Sequence, residues 1–144
     1  MKINIVENIV LSFSLREMPG IKNKLLEGKS ASIKDEKAEF SIKLKFEEES
    51  FFVIFSINIV TKEGVAIEAV YQSKFVTDEL IDLDFINKDF AYVNAPAIAY
   101  PYLRTFISNF TLNAGYSPIM LPSINFVALR NRTKNSNNIS TIDS

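Results

Sequence analysis

Asp82, Asp84 and Asp89 are the residues of this chain most suggestive of metal chemistry, because closely spaced carboxylates are the hard oxygen ligands that calcium takes. Their neighbours break the pattern. Leu83 and Phe85 interrupt the run of oxygens, and no glycine supplies the sharp turn of an EF-hand loop. These acids read as solvated side chains. Glu47, Glu48 and Glu49 form a second acidic run between two apolar alternations, which is the position of a hairpin turn. The chain has no Cys and no His. That removes disulfides, thiol nucleophiles, histidine general bases and histidine metal sites. Four glycines form no phosphate-cradling loop. Asn137-Asn138-Ile139-Ser140 contains an Asn-x-Ser acceptor pattern, which has meaning only in a secreted protein. Acid–base catalysis would need a carboxylate pair assembled from distant strands. The expectation is a protein that is not an enzyme and uses no metal and no cofactor.

Composition points toward binding. Twelve Phe and five Tyr with no Trp is aromatic-heavy for 144 residues. One domain of this length buries roughly two-thirds of its extended-chain surface, and the remaining aromatics need a subunit interface or a ligand groove. Sixteen bases against seventeen acids give a net charge of −1 and no footprint for nucleic acid. Arg130, Arg132 and Lys134 are a one-signed patch that reads as a solvated helix end. The segment from Met1 to Glu7 is charged and lacks a signal-peptide apolar block, and no apolar stretch reaches membrane-spanning length. A cytoplasmic protein is expected, without membrane insertion.

Four strands are predicted to carry these groups. Ile9, Leu11, Phe13 and Leu15 alternate with Val10, Ser12, Ser14 and Arg16, which predicts one apolar face. Met18-Pro19-Gly20 closes that strand. Phe40, Ile42, Leu44 and Phe46 alternate with polar residues in a second strand, and Phe51, Val53, Phe55, Ile57 and Ile59 mark a third. Lys62-Glu63-Gly64 makes a hairpin into a fourth, Val65 to Val76. The sheet should be antiparallel with one buried face. Between strands one and two lies a long connection, about residues 18 to 37, holding Ile21, Leu25 and Leu26. Such a loop is either a crossover that tucks leucines into the core or a flap over an apolar groove.

Asp78 to Val93 reads as partly helical. Asn94 and Pro96 can open a helix, and Pro101 should kink it or mark a restart. Tyr102, Phe106 and Phe110 fall on one stripe, flanked by Leu103 and Ile107, and Gly115 ends the helix. So broad a stripe predicts a partner helix from another subunit. Pro118 and Pro122 bracket an extended segment, and Ser123 should cap a short helix holding Ile124, Phe126, Val127 and Leu129. The domain is expected to span 1–134, with a polar disordered tail over 135–144.

The order and spacing of several of these pieces resemble the SecB family of chaperones. They are Ser12-Phe13-Ser14, Glu68 with Phe75 seven residues on, Pro101-Tyr102-x-Arg104, and Pro122-x-Ile124-Asn125-Phe126-x-Ala128-Leu129. The resemblance implies an α+β fold. It would be a four-stranded antiparallel sheet with a long crossover loop, packed by one long kinked helix and a short C-terminal helix. It implies edge-to-edge dimers and a homotetramer built on the long helices, with Tyr102, Leu103, Phe106, Ile107 and Phe110 at the interface. It also implies an ATP-independent holdase whose unfolded clients, preprotein or antitoxin, lie between Met18, Ile21, Leu25 and Leu26 and the facing Ile124, Phe126 and Leu129. Acids of the family's sheet surface that meet the export motor SecA are replaced by Val10 and Ser14, leaving Glu68 as the possible contact, so SecA engagement is expected to be weak. Val127 and Arg130 replace an acid and an aromatic of the family pattern. Two other readings stay open: an oligomeric adaptor that has lost client binding, and a carrier of a small apolar ligand.

Overall fold

The computed structural model describes residues 1–18 and 37–135. Four antiparallel strands, β1 (Ile3–Glu17), β2 (Lys37–Phe46), β3 (Ser50–Val60) and β4 (Val65–Thr77), form one sheet in the order β1-β4-β3-β2. The last three are a meander joined by the two predicted turns. In the first, the Glu47 amide donates to Ser50 O at 2.8 Å and the Ser50 hydroxyl to the Glu47 carboxylate at 3.0 Å. In the second, the Val65 amide donates to the Thr61 hydroxyl at 3.2 Å, and Gly64 takes a φ of 81° that a side chain would resist. β1 lies at the far edge, so the chain must pass from one edge of the sheet to the other to begin β2.

The alternation in β2, β3 and β4 sends Leu44, Phe51, Val53, Phe55, Ile67 and Phe75 to one face, where each is almost wholly buried. β1 departs from its predicted pattern. It begins at Ile3, well before Ile9, and its register with β4 slips between Ile5 and Glu7 and again between Val10 and Ser12. Each slip inserts one residue, and one residue reverses the face on which the following side chains stand. Phe13 and Leu15 therefore pair with the core-facing Ala69 and Ile67, as expected, whereas Ile9 pairs with Gln72 on the opposite face and Val10 with the core-facing Tyr71. The single apolar face predicted for Ile9 to Leu15 is corrected to two half-faces joined by a bulge at Leu11.

A short helix α1 (Leu83–Asn87) and a π-helical turn (Phe90–Asn94) lead into the long helix α2 (Ala95–Asn113). Pro96 has no amide to give the Tyr92 carbonyl, and the wider turn, closed by the Ala95 amide on Phe90 O, accommodates that loss. Asn94 is itself helical (φ −71°, ψ −44°), so it does not act as the predicted side-chain cap. α2 continues unbroken through Pro101, and the irregularity expected there lies about two to three turns earlier, in the π turn. Gly115 ends α2 as predicted: at φ 98° it lets Tyr116 N donate to Thr111 O and Gly115 N to Leu112 O, a paired closure of the last turn. The last helix, α3, spans Phe126–Asn135. Its cap is Asn125, whose Oδ1 accepts from Ala128 N at 2.9 Å, and not Ser123. No described helix is long and apolar enough to cross a membrane.

Candidate functional site

The candidate site lies at the sheet end where β1 finishes and β2 begins. Row by row, Leu15 pairs with Ile67, Ile67 with Ile59 and Ile59 with Ala38, so the chain leaves β1 and enters β2 at the same end. The C-terminal segment crosses there. Near the β1 side, the Tyr116 hydroxyl meets the Glu17 carboxylate at 3.3 Å. Near the β2 side, the rings of Phe40 and Phe126 lie 6.4 Å apart. Between them the segment is fastened to α2 at two buried points. The Thr111 hydroxyl donates to Ile107 O and accepts from Ile119 N at 3.0 Å, and the Tyr100 hydroxyl donates to Pro122 O at 2.6 Å. Burial pushes the Tyr100 phenol above its ordinary value, with Arg104 partly opposing.

Fixing the segment decides which of its side chains are open. Tyr100 meets Phe126 edge-on at 5.6 Å and Phe40 at 5.7 Å, and these rings close over Phe55. Phe126 is only 6 % exposed. It is a core residue, and its predicted place among client-facing side chains is corrected. Ile124 and Leu129 are half-buried at the margin of the same cluster. Met18 is 36 % exposed at the end of β1. Ile21, Leu25 and Leu26 lie outside the described residues. Two open side chains went unpredicted, Met120 at 72 % and Val127 at 54 % exposed. Met120 had a signal in its position between two prolines, which hold it extended. It borders a groove of about 360 Å³ between α2 and the segment, lined also by Pro101, Arg104, Thr105, Ser108 and Leu121.

α2 likewise splits the residues assigned to a subunit interface. Leu103 and Ile107 are fully buried against the protein's own sheet, so their assignment to the interface is corrected. Residues three or four apart share a helix face, and the face holding Ala99, Leu103 and Ile107 is the one turned to the sheet. Tyr102 is 46 % exposed, and Ile98 and Leu112 extend the open surface. Phe106 and Phe110 stand between: both touch Phe13 of β1, at 5.3 and 4.3 Å, while Phe110 keeps an exposed edge.

Several of the charged groups have structural partners. Asp82 caps α1 by accepting from Phe85 N at 2.8 Å, and Asp84 pairs with Lys88 at 3.0 Å. Arg130 is not a solvated helix end. Its guanidinium lies 3.7 Å from the Tyr92 ring centroid, and its Nε lies 3.8 Å from the Asp89 carboxylate. It holds α3 against the π turn, which is how a cation stands where the family pattern has an aromatic. Arg132 is exposed. Glu68 is exposed on the sheet face opposite the helices, between Ser14 and Asn58. Among the described residues no group of His, Cys, Asp and Glu is placed to hold a metal ion.

An antiparallel sheet covered on one face by a long and a short helix, with apolar side chains left open along α2 and the C-terminal segment, is the architecture expected from the motifs. The family model for the preprotein translocase subunit SecB matches residues 8–137. The chain belongs to the SecB family. It is 35% identical over 107 residues to an uncharacterized protein of Methanocaldococcus jannaschii, covering 67% of this chain and 68% of that one. It is 31% identical over 108 residues to the protein-export protein SecB of Orientia tsutsugamushi, covering 72% of this chain and 66% of that one. The chain thus spans about two thirds of the length of the curated relatives it matches. Among solved structures, the SecB-like chaperone of Mycobacterium tuberculosis, in complex with a ChAD peptide from the HigA1 antitoxin, shares the fold. It superposes with a TM-score of 0.61 at 12% identity, over 85% of this chain and 87% of that one.

Proposed function

We propose that this protein is an ATP-independent holdase that binds extended segments of unfolded polypeptides, for export or for control of an antitoxin. The observation that carries the reading is the placement of Met18, Met120 and Val127. All three are open apolar side chains: Met18 follows β1 at the sheet end where the connection to β2 departs, Met120 borders the Thr61–Glu63 turn at that same end, and Val127 follows Phe126, whose ring meets Phe40 of β2. Flexible methionines and aliphatics accept many sequences, as a surface for unfolded clients requires. Membership of the SecB family supports the same reading, and the mycobacterial relative's peptide complex supports a polypeptide client. In this reading the protein catalyses nothing, works in the cytoplasm, and assembles as a homodimer or homotetramer through the open face of α2. SecA binds weakly, because Val10 and Ser14 stand where acids are expected and Glu68 is left to make the contact.

The test is suppression of aggregation of a chemically unfolded protein without ATP, comparing wild type with Leu25→Ser/Leu26→Ser and with Met120→Ser/Val127→Ser. Both variants should hold clients less well while keeping their oligomeric state. Each leucine removed from a client contact forfeits up to about 1.5–3 kcal/mol, offset in part by the costs of association. If both variants protect clients as wild type does, the groove reading fails.

A further inference from the structure

Arg104 is the only charged residue from Phe90 to Leu129, the stretch that supplies α2 and the C-terminal segment. It is half-buried on the flank of α2 that faces the segment, one turn before Ser108. Its guanidinium carbon lies 5.9 Å from the centroid of the Tyr100 ring, whose hydroxyl fixes Pro122 O. The cation is thus seated in the groove between α2 and the segment, with Thr105, Ser108 and Met120. There the Ser108 hydroxyl reaches the Met120 sulfur at 3.5 Å. Among the described residues no carboxylate lies within ion-pair distance of Arg104. Glu17, near the start of the segment, accepts from the Tyr116 hydroxyl at 3.3 Å. Glu63 lines the groove on the other side of Met120 together with Lys62, so their charges offset.

We propose that Arg104 makes this groove selective, and that its occupant is an extended polypeptide segment with an aspartate or glutamate beside an apolar residue. The inference rests on the holdase reading and names the chemistry of the client. The carboxylate meets the guanidinium, with the Thr105 and Ser108 hydroxyls to its side, and the apolar side chain lies over Met120 and Pro101. Charge decides the occupant. A guanidinium without a carboxylate partner can receive one through two parallel hydrogen bonds from its planar fork. A second copy does not supply it. Across a twofold axis α2 would meet the same surface, and neither α2 nor the C-terminal segment carries an acid. A nucleic acid does not fit either, because one cation is not a continuous basic track. A partly exposed ion pair contributes little, so Arg104 sets a preference among clients and leaves most of the affinity to the apolar contacts.

Fluorescence anisotropy with the full chain tests this, using labelled peptides of alternating leucine and serine, blocked at both ends, with aspartate, asparagine or lysine at the centre. The aspartate peptide should bind about threefold to tenfold more tightly than the asparagine one at low salt, and the lysine peptide least well. High salt should narrow the difference. Arg104→Gln should bring the aspartate-to-asparagine ratio close to one. Met120→Ser/Val127→Ser should weaken both peptides alike and keep the ratio. Should Arg104→Gln fold poorly, Arg104→Lys, which keeps the charge and loses the fork, should still lower the ratio by roughly twofold. Equal binding of the aspartate and asparagine peptides by wild type, or an unchanged ratio in the Arg104 variants, would overturn the proposal and leave the holdase reading standing. So would tighter binding of an asparagine peptide with a free C-terminus, which would make the ligand a chain end. Dissociation of the oligomer in Arg104→Gln would give the groove to a second copy and overturn it as well. Binding of no peptide, with no suppression of aggregation, would overturn both readings.

Discussion

Phe126 and Val127 are adjacent in α3, and the structure assigns them opposite duties. Phe126→Ala removes a ring that is 6 % exposed and meets Tyr100 at 5.6 Å and Phe40 at 6.4 Å. A buried Phe→Ala change costs about 3–5 kcal/mol through lost transfer energy and the cavity left behind. The edge-on pair with Tyr100 accounts for roughly 0.5–1.5 kcal/mol of that. With a urea slope of about 2 kcal/mol per molar for a domain of this size, the midpoint should fall by roughly 1.5–2.5 M. Val127→Ser, at an open position, should move it little. Both are measured by urea unfolding at one fixed protomer concentration, because assembly adds its own stabilisation. A double-mutant cycle with Tyr100→Ala should return a coupling of about 1 kcal/mol. Client capture, assayed where each variant is folded, should weaken in Val127→Ser. The reasoning is refuted if Phe126→Ala loses less than about 1 kcal/mol while losing client capture, for the ring would then be a client contact and not a core one.

The split of α2 gives a second contrast. Tyr102→Asp should dissociate the oligomer in light scattering without loss of helix signal, whereas Leu103→Ala should leave assembly in place and cost about 2–5 kcal/mol of stability. A stable wild-type monomer would refute the first half. Tyr100 sets a pH dependence. Its folded phenol pKa is raised by burial above the ordinary value near 10, so its contribution is present below that pH and is lost as pH rises through the folded value. Thermal unfolding above about pH 10 should therefore show a steeper decline in wild type than in Tyr100→Phe; parallel profiles would remove the assignment. At the start of α3, Asn125→Ala should cost about 1 kcal/mol and Ser123→Ala close to nothing. The reverse order would return the cap to Ser123.

Much of this fold is written along the chain because its signals are local. The period-two alternation of Phe40 to Phe46 and Phe51 to Ile59 needs no partner to be read, and neither do the turns at Glu47–Ser50 and Thr61–Gly64 or the glycine that ends α2. What the sequence could not determine is which neighbour each side chain meets. In β1 a bulge at Leu11 reverses the face of Ile9, and nothing local marks it, because the slip exists only relative to β4. On α2 the apolar residues run nearly all the way round, so periodicity alone could not tell Leu103 and Ile107, which face the sheet, from Tyr102, which faces out. That choice fell to the angle at which the π turn delivers the helix. Asn125 displaced Ser123 as cap because Tyr100 holds the Pro122 carbonyl three residues before the cap. Phe126 became core and Val127 surface for the same reason: one anchored carbonyl fixes the rotation of α3, and burial follows from that rotation, not from hydrophobicity.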